Sequence, residues 1–260
     1  MWHNLRTLWE YRYLVLTFIE RDIKARYRQT TVGIGWAVIQ PLLMTGIFTI
    51  IFSKFLHVST HGIPYPLFSF IALSSWTFLS RSLTSGSIAL TSNQGLISKV
   101  YFPRDVLPIA TVASLFVDFG ISSLLIPPLL FIYHLPLTWH LVFLPLVLAI
   151  QVLLAISFAL LASSAVIVFR DLVYVIPFLV QIGLYASPIV YSVKNLQPQY
   201  QAYFYLNPIT GVVEGFRSIL LYQEIPNLTY LSISLAFALI LFIITYHGFK
   251  RVEQYLADVI

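Results

Sequence analysis

The chain has 260 residues, of which 58% are hydrophobic and only 10% charged, and its mean hydropathy is +0.84. A soluble domain carries about 25% charged residues, so a soluble globular protein is excluded, and no stretch of about 50 residues is polar enough to make a second, soluble domain. Cysteine is absent, which excludes disulfides, a thiolate nucleophile, a cysteine zinc site and an iron–sulfur cluster. The net charge of +5 comes from basic residues at the chain ends and in short loops, a placement that fits membrane topology and anionic lipid rather than nucleic acid.

Residues 1–31 interleave Arg6, Arg12, Arg21, Lys24, Arg26 and Arg28 with apolar side chains and hold no uninterrupted apolar core, so no cleaved signal peptide is expected. Leu5, Leu8, Trp9, Leu16, Ile19 and Ile23 recur at helical spacing and predict an amphipathic helix lying in the cytoplasmic interface. A spanning helix needs about 20 mostly apolar residues. That window predicts six spans, at residues 33–52, 67–90, 106–133, 141–169, 172–191 and 228–249. The third and fourth are longer than a bilayer needs, and Pro127, Pro128 and Pro145 supply kinks or helix starts. With six spans both termini share one side. That side collects Arg6, Arg12, Arg21, Lys24, Arg26, Arg28, Lys99, Arg104, Arg170, Lys250 and Arg251, against Lys54, Lys194 and Arg217 on the other. The basic side is expected to be cytoplasmic.

Chemistry is sparse. No G-x-x-x-x-G-K-[ST] loop occurs, so nucleotide phosphates are not bound here in the P-loop manner. The six histidines form no convincing metal-ligand spacing, and the acidic residues are spread singly, without the carboxylate pair that glycan chemistry requires. Only Arg81 and Asp118 lie well inside predicted spans, too few for an ion-driven carrier. They read either as a functional pair or as groups satisfied locally by neighbouring helices. Gly33, Gly35, Ser82, Ser85 and Gly86 read as small residues that let helices approach closely.

Four ordered motifs remain. Arg26-Tyr27-Arg28-Gln29-Thr30 precedes Gly33-Ile34-Gly35-Trp36, and a loop runs from Asn93 to Arg104. Ser187-Pro188 breaks a helix, and Asn207-Pro208 opens a segment in which Glu214 and Arg217 stand one turn apart. Together they resemble the permease family of type 2 ABC exporters that move polysaccharides and teichoic acids, most of all the O-antigen exporter permeases. The resemblance implies an all-α polytopic domain over residues 1–260, with an interface helix (1–32), a six-span bundle (33–250) and a cytoplasmic tail (251–260). It also implies two short re-entrant helices on the outer side, between the fifth and sixth spans. A homodimer in the bacterial inner membrane would pass a lipid-linked polysaccharide, driven by two separate ATP-binding subunits that hold ATP and magnesium, so this chain is expected to be no enzyme and to carry no cofactor or metal.

On this reading Asn93, Leu96, Ile97, Lys99, Tyr101 and Phe102 would form the coupling segment seated on the ATPase, and Asn207, Pro208, Glu214 and Arg217 would belong to the exit-side helix. Aromatic residues make up 16% of the chain, and rings stack on the apolar faces of sugars. Trp36, Phe48, Phe70, Trp76, Tyr174 and Tyr185 are the candidates for lining a passage. Arg21, Lys24, Arg26 and Arg28 suit a lipid pyrophosphate at the cytoplasmic entrance, because guanidinium forks match phosphate oxygens. The alternatives are a teichoic acid, capsule, small-lipid or drug permease and, from another class, a membrane-embedded glycan-processing enzyme.

Overall fold

The computed structural model describes residues 10–28 and 30–259, so Leu5, Leu8 and Trp9 of the expected N-terminal stripe lie outside the described residues. Among those described, every regular element is helical. In chain order they are α1 (Arg12–Tyr27), α2 (Gly33–Phe55), α3 (Tyr65–Ser87), α4 (Gln94–Ile97), α5 (Val106–Ile132), α6 (Trp139–Val168), α7 (Leu172–Ala186), α8 (Pro198–Tyr205), α9 (Pro208–Arg217) and α10 (Leu228–Val259).

Four of these, α2, α5, α6 and the Leu228–Gln254 part of α10, are long and apolar enough to cross a membrane. The other two expected spans differ for opposite reasons. Helix α3 has 23 residues, long enough to span, but its sequence YPLFSFIALSSWTFLSRSLTSGS is diluted by serine, threonine and Arg81. Helix α7 is apolar but ends after 15 residues, because Pro188 forces Ser187 into an extended conformation (φ −108°, ψ 152°). Proline also sets other boundaries. Pro66 occupies the first turn of α3, Pro145 sits where the 3-10 opening of α6 (Trp139–Phe143) gives way to α-helix, and α5 breaks at Leu124–Leu125 before restarting at Ile126–Ile132 with Pro127 in its first turn.

Helices α3 and α6 form the centre. Helix α10 covers the far side of α6; α2, α5 and α7 pack on α3; α1 lies against α5; and α9 wedges between α10, α3 and α6. The polar composition of α3 is tolerable because the helix is enclosed: 16 of its 23 residues are buried. Small residues let it approach its neighbours. A Cβ built on Gly86 would stand 2.8 Å from the Ala159 Cα of α6, and one on Gly183 would stand 2.7 Å from the Trp76 ring. Gly33 serves differently, taking φ +60° at the start of α2 with open space around it.

Three of the six expected channel aromatics are core residues: Phe70 is fully buried, and Phe48 and Trp76 nearly so. In this chain they are packed between helices. Trp36, Tyr174 and Tyr185 are exposed. The apolar face of α1 is also rotated from the expected stripe. Leu14, Val15, Phe18 and Ile19 pack inward, while Leu16 is exposed.

Replacing Gly86 with leucine should destabilise the bundle by about 3 kcal/mol, because the new side chain meets Ala159 backbone. Leucine at Gly248, where nothing lies within 4 Å, should change little. Thermal unfolding of the detergent-solubilised variants checks both.

Candidate functional site

The basic residue clusters of the sequence gather at one end of the bundle. There Phe18 of α1, Ile97 of α4, Phe102, Val106 and Leu107 at the start of α5, Leu160 of α6, and Tyr246 and Phe249 of α10 make one buried cluster. The Phe18 and Phe102 rings lie 5.8 Å apart, and the Arg21 guanidinium lies over the Phe18 ring at 4.7 Å. Arg21 also donates to the Asn93 side-chain carbonyl at 2.8 Å, which ties α1 to the loop before α4.

The far side of that loop is clamped by α10. The Arg104 backbone N–H donates to Glu253 Oε1 at 2.8 Å, its guanidinium donates to the Glu253 carbonyl at 2.9 Å, and Lys250 Nζ bridges Asp105 (2.9 Å) and Glu253 (2.8 Å). Burial pushes the Asp105 carboxyl above the ordinary carboxylate range, and Lys250 opposes the shift. Of the six expected coupling residues, Ile97 and Phe102 are anchors inside this core, Asn93 and Leu96 are half-buried, and Lys99 and Tyr101 project. Tyr101 is 94% exposed.

From this end one side chain enters the bundle. Arg26, near the last turn of α1, forms an ion pair and hydrogen bond with Asp118 Oδ2 and donates to Ser114 Oγ at 3.1 Å. Ser114 and Asp118 stand one turn apart on α5, so one guanidinium reaches both. Arg81 of α3 approaches the same Oδ2 at 3.7 Å. Asp118 therefore joins α1, α3 and α5, and the two charges expected inside spans form a pair with a third member. The Asp118 carboxylate is 8% exposed, a burial that a charge tolerates only when paired.

Trp36, Gln40, Thr77, Arg81 and Asp118 line a cavity of about 20 Å³ between α2, α3 and α5. Ser74 and Ser122 border it, and neither Asp118 Oδ1 nor Ser74 Oγ has a hydrogen-bond partner among the described residues. Residues assigned to three separate roles, Arg26, Trp36 and the Arg81–Asp118 pair, are thus neighbours. Of the other basic residues at the expected entrance, Lys24 pairs with Glu20 at 2.5 Å, and Arg28 is exposed beside a shallow depression lined by Lys24, Tyr27 and Gly33. Sequence reasoning missed Arg26 as the partner of Asp118, although a lone carboxylate in an apolar helix demands a cation from somewhere.

At the opposite end Asn207 caps α9, its Oδ1 accepting from the Ile209 N–H at 3.0 Å while its Nδ2 donates to Ser187 Oγ at 2.9 Å. Arg217 is fully buried. Its guanidinium donates to Glu214 Oε1 (2.9 Å) and to the carbonyls of Pro188 (2.7 Å) and Ile189 (2.8 Å), and it stacks 3.5 Å over the Phe68 ring of α3. It satisfies acceptors that the break in α7 releases.

Residues 13–221 match the family model for the ABC-2 type transporter. Similar curated proteins include the O-antigen export system permease protein RfbA of Myxococcus xanthus, 28% identical over 226 residues, which cover 86% of each chain. The protein of the same name from Klebsiella pneumoniae is 26% identical over 100% of this chain and 98% of its own. The polysialic acid transport protein KpsM of Escherichia coli is 26% identical over 75% of this chain and 76% of its own. With the family model matched over most of its length, the chain belongs to the ABC-2 type transporters.

Proposed function

We propose that this chain is the permease subunit of an ATP-driven exporter that moves a lipid-linked polysaccharide across the bacterial inner membrane. On this reading the chemistry of ATP hydrolysis belongs to a separate subunit. The relatives named for O-antigen and polysialic acid transport support that substrate class, since the Klebsiella protein aligns over nearly its whole length. Six crossings follow if α3 and α7 also traverse the bilayer, α3 shielded by its neighbours and α7 extended by the segment behind Ser187. Both termini are then cytoplasmic, α8 and α9 re-enter from the outer side, and two copies enclose the passage. The exposed rings of Trp36, Tyr174 and Tyr185 are the candidates for holding sugars. Arg21, Lys24 and Arg28 meet the lipid pyrophosphate, and Arg26 serves the bundle instead.

The observation that carries the mechanism is the bond between Arg26 and Asp118. A separate ATP-binding subunit, holding ATP and magnesium, pushes on the segment from Gln94 to Tyr101. Because Asn93 is bonded to Arg21 and Phe102 is packed on Phe18, α1 moves with that segment. Arg26 then passes the displacement to α5 and, through Asp118, to α3.

Deleting the gene should abolish surface polysaccharide while polymer accumulates inside, as read by labelling intact and opened cells; unchanged surface polymer overturns the export reading. Lys99→Glu with Tyr101→Asp should abolish co-purification of the ATPase without changing the melting temperature. Ile97→Asp should instead destabilise the chain itself. Asp118→Ala should cost about 3–5 kcal/mol in stability, since it strands two guanidinium groups among the spans, and the swap Asp118→Arg with Arg26→Asp should recover part of it. Melting curves of the single and double variants measure the coupling.

A further inference from the structure

A second, larger cavity plays no part in the coupling path. It encloses about 300 Å³ between α3, α5, α6 and the segment that continues α9. Its floor is formed by Ile71, Leu130, Phe216 and Leu220, all buried. Its mouth is formed by Phe116, Gly120, Pro127 and Leu137, all exposed. Ser74 and Ser123 contribute the only hydroxyls among the lining residues, and no charged group borders it. It lies on the flank of two helices, α5 and α6, that are long and apolar enough to cross a membrane.

We infer that this cavity is a binding site for a hydrocarbon chain, and specifically for an acyl chain of a bilayer phospholipid. With α5 and α6 spanning the bilayer, as the proposed function has them, the apolar mouth faces the membrane interior, and an apolar space of this kind excludes water while accepting hydrocarbon. Shape favours a chain over a compact solute. The lining runs along α5 from Phe116 to Leu130, roughly 20 Å at helical rise, against a hydrocarbon core of about 30 Å. The mouth offers no cation for a phosphate, so the headgroup stays at the membrane surface. The space beside Gly120 is open, since a Cβ added there would meet nothing within 4 Å, so a large side chain at this position extends into the mouth.

Occupancy touches two working parts of the protein. Phe119 is a wall shared with the Asp118 cavity, and Phe216 and Leu220 flank Arg217 on the exit-side segment. An acyl chain seated here therefore packs behind both, which makes the exit-side segment sensitive to the chain length of the surrounding lipid.

The complete transporter, reconstituted in phosphatidylethanolamine–phosphatidylglycerol vesicles with a trace of phospholipid carrying a diazirine at its chain end, tests this by photolysis and peptide mapping. Adducts on the Ile71 and Phe216 side chains themselves are expected, assigned by fragmenting the labelled peptides, since both are buried and lipid outside the bundle cannot reach them. Gly120→Phe and Ser123→Leu should each abolish those adducts, whereas Gly248→Phe should retain them, and labelling of the exposed Ile240 and Ile244 face of α10 should persist throughout. Label confined to exposed faces in the unmodified chain would overturn the proposal. So would floor adducts that survive both filling variants, and displacement by added polyprenyl phosphate but not by unlabelled phospholipid would assign the site to an isoprenyl chain instead. The readout is independent of the transported substrate and of ATP.

Discussion

A carboxylate buried among apolar helices needs a compensating cation, and Asp118 finds two, on different elements. Arg81 comes from the adjacent helix α3, at 3.7 Å. Arg26 comes from α1, which crosses nothing by itself, and it forms the closer contact and adds a bond to Ser114. The requirement to neutralise Asp118 therefore fixes where α1 lies. With Arg26 held, the inward face of α1 falls on α5, Phe18 meets Phe102, and Arg21 reaches Asn93. Much of the basic end of the molecule follows from that one ion pair.

The other end obeys the same logic with the sign of the burden reversed. There the groups needing partners are carbonyls, released where Pro188 ends α7. Arg217 supplies the donors from within the short helix α9, and Glu214, one turn away, balances its charge. A lysine has three donors on a single nitrogen, whereas the guanidinium fork spreads its donors across Glu214, Pro188 and Ile189 while its flat face lies on Phe68. Each end is thus fastened by an arginine on an element lying outside the four long apolar helices.

Hydropathy made α2, α5, α6 and α10 legible, because their environment is set by the apolar runs themselves. The basic start and the Asn207-Pro208 cap also pointed to helices at α1 and α9. Hydropathy could not rank burial. Phe48, Phe70 and Trp76 are indistinguishable in sequence from Trp36, Tyr174 and Tyr185, yet the first three are core and the others are exposed, a difference decided by which face of each helix meets α3 and α6. Nor did the sequence disclose that Arg26, 92 positions from Asp118, was its partner. Clustered arginines near a terminus carry a strong topological signal, and that signal masks a single one turned inward.

Helix α3 joins the two fastenings. Its first turns bring Phe68 under Arg217 and the Tyr65 hydroxyl onto the Val190 carbonyl at 2.9 Å, and its later turns bring Arg81 to Asp118. Its serines and Gly86 permit close packing: Gln151 of α6 donates to the Ser75 carbonyl at 3.2 Å, and Gly86 lies against Ala159. A helix enclosed so tightly transmits displacement along its axis better than it absorbs it. The feature that lowers the hydropathy of α3, its run of small polar residues, is the same feature that lets one rigid element touch both arginine sites.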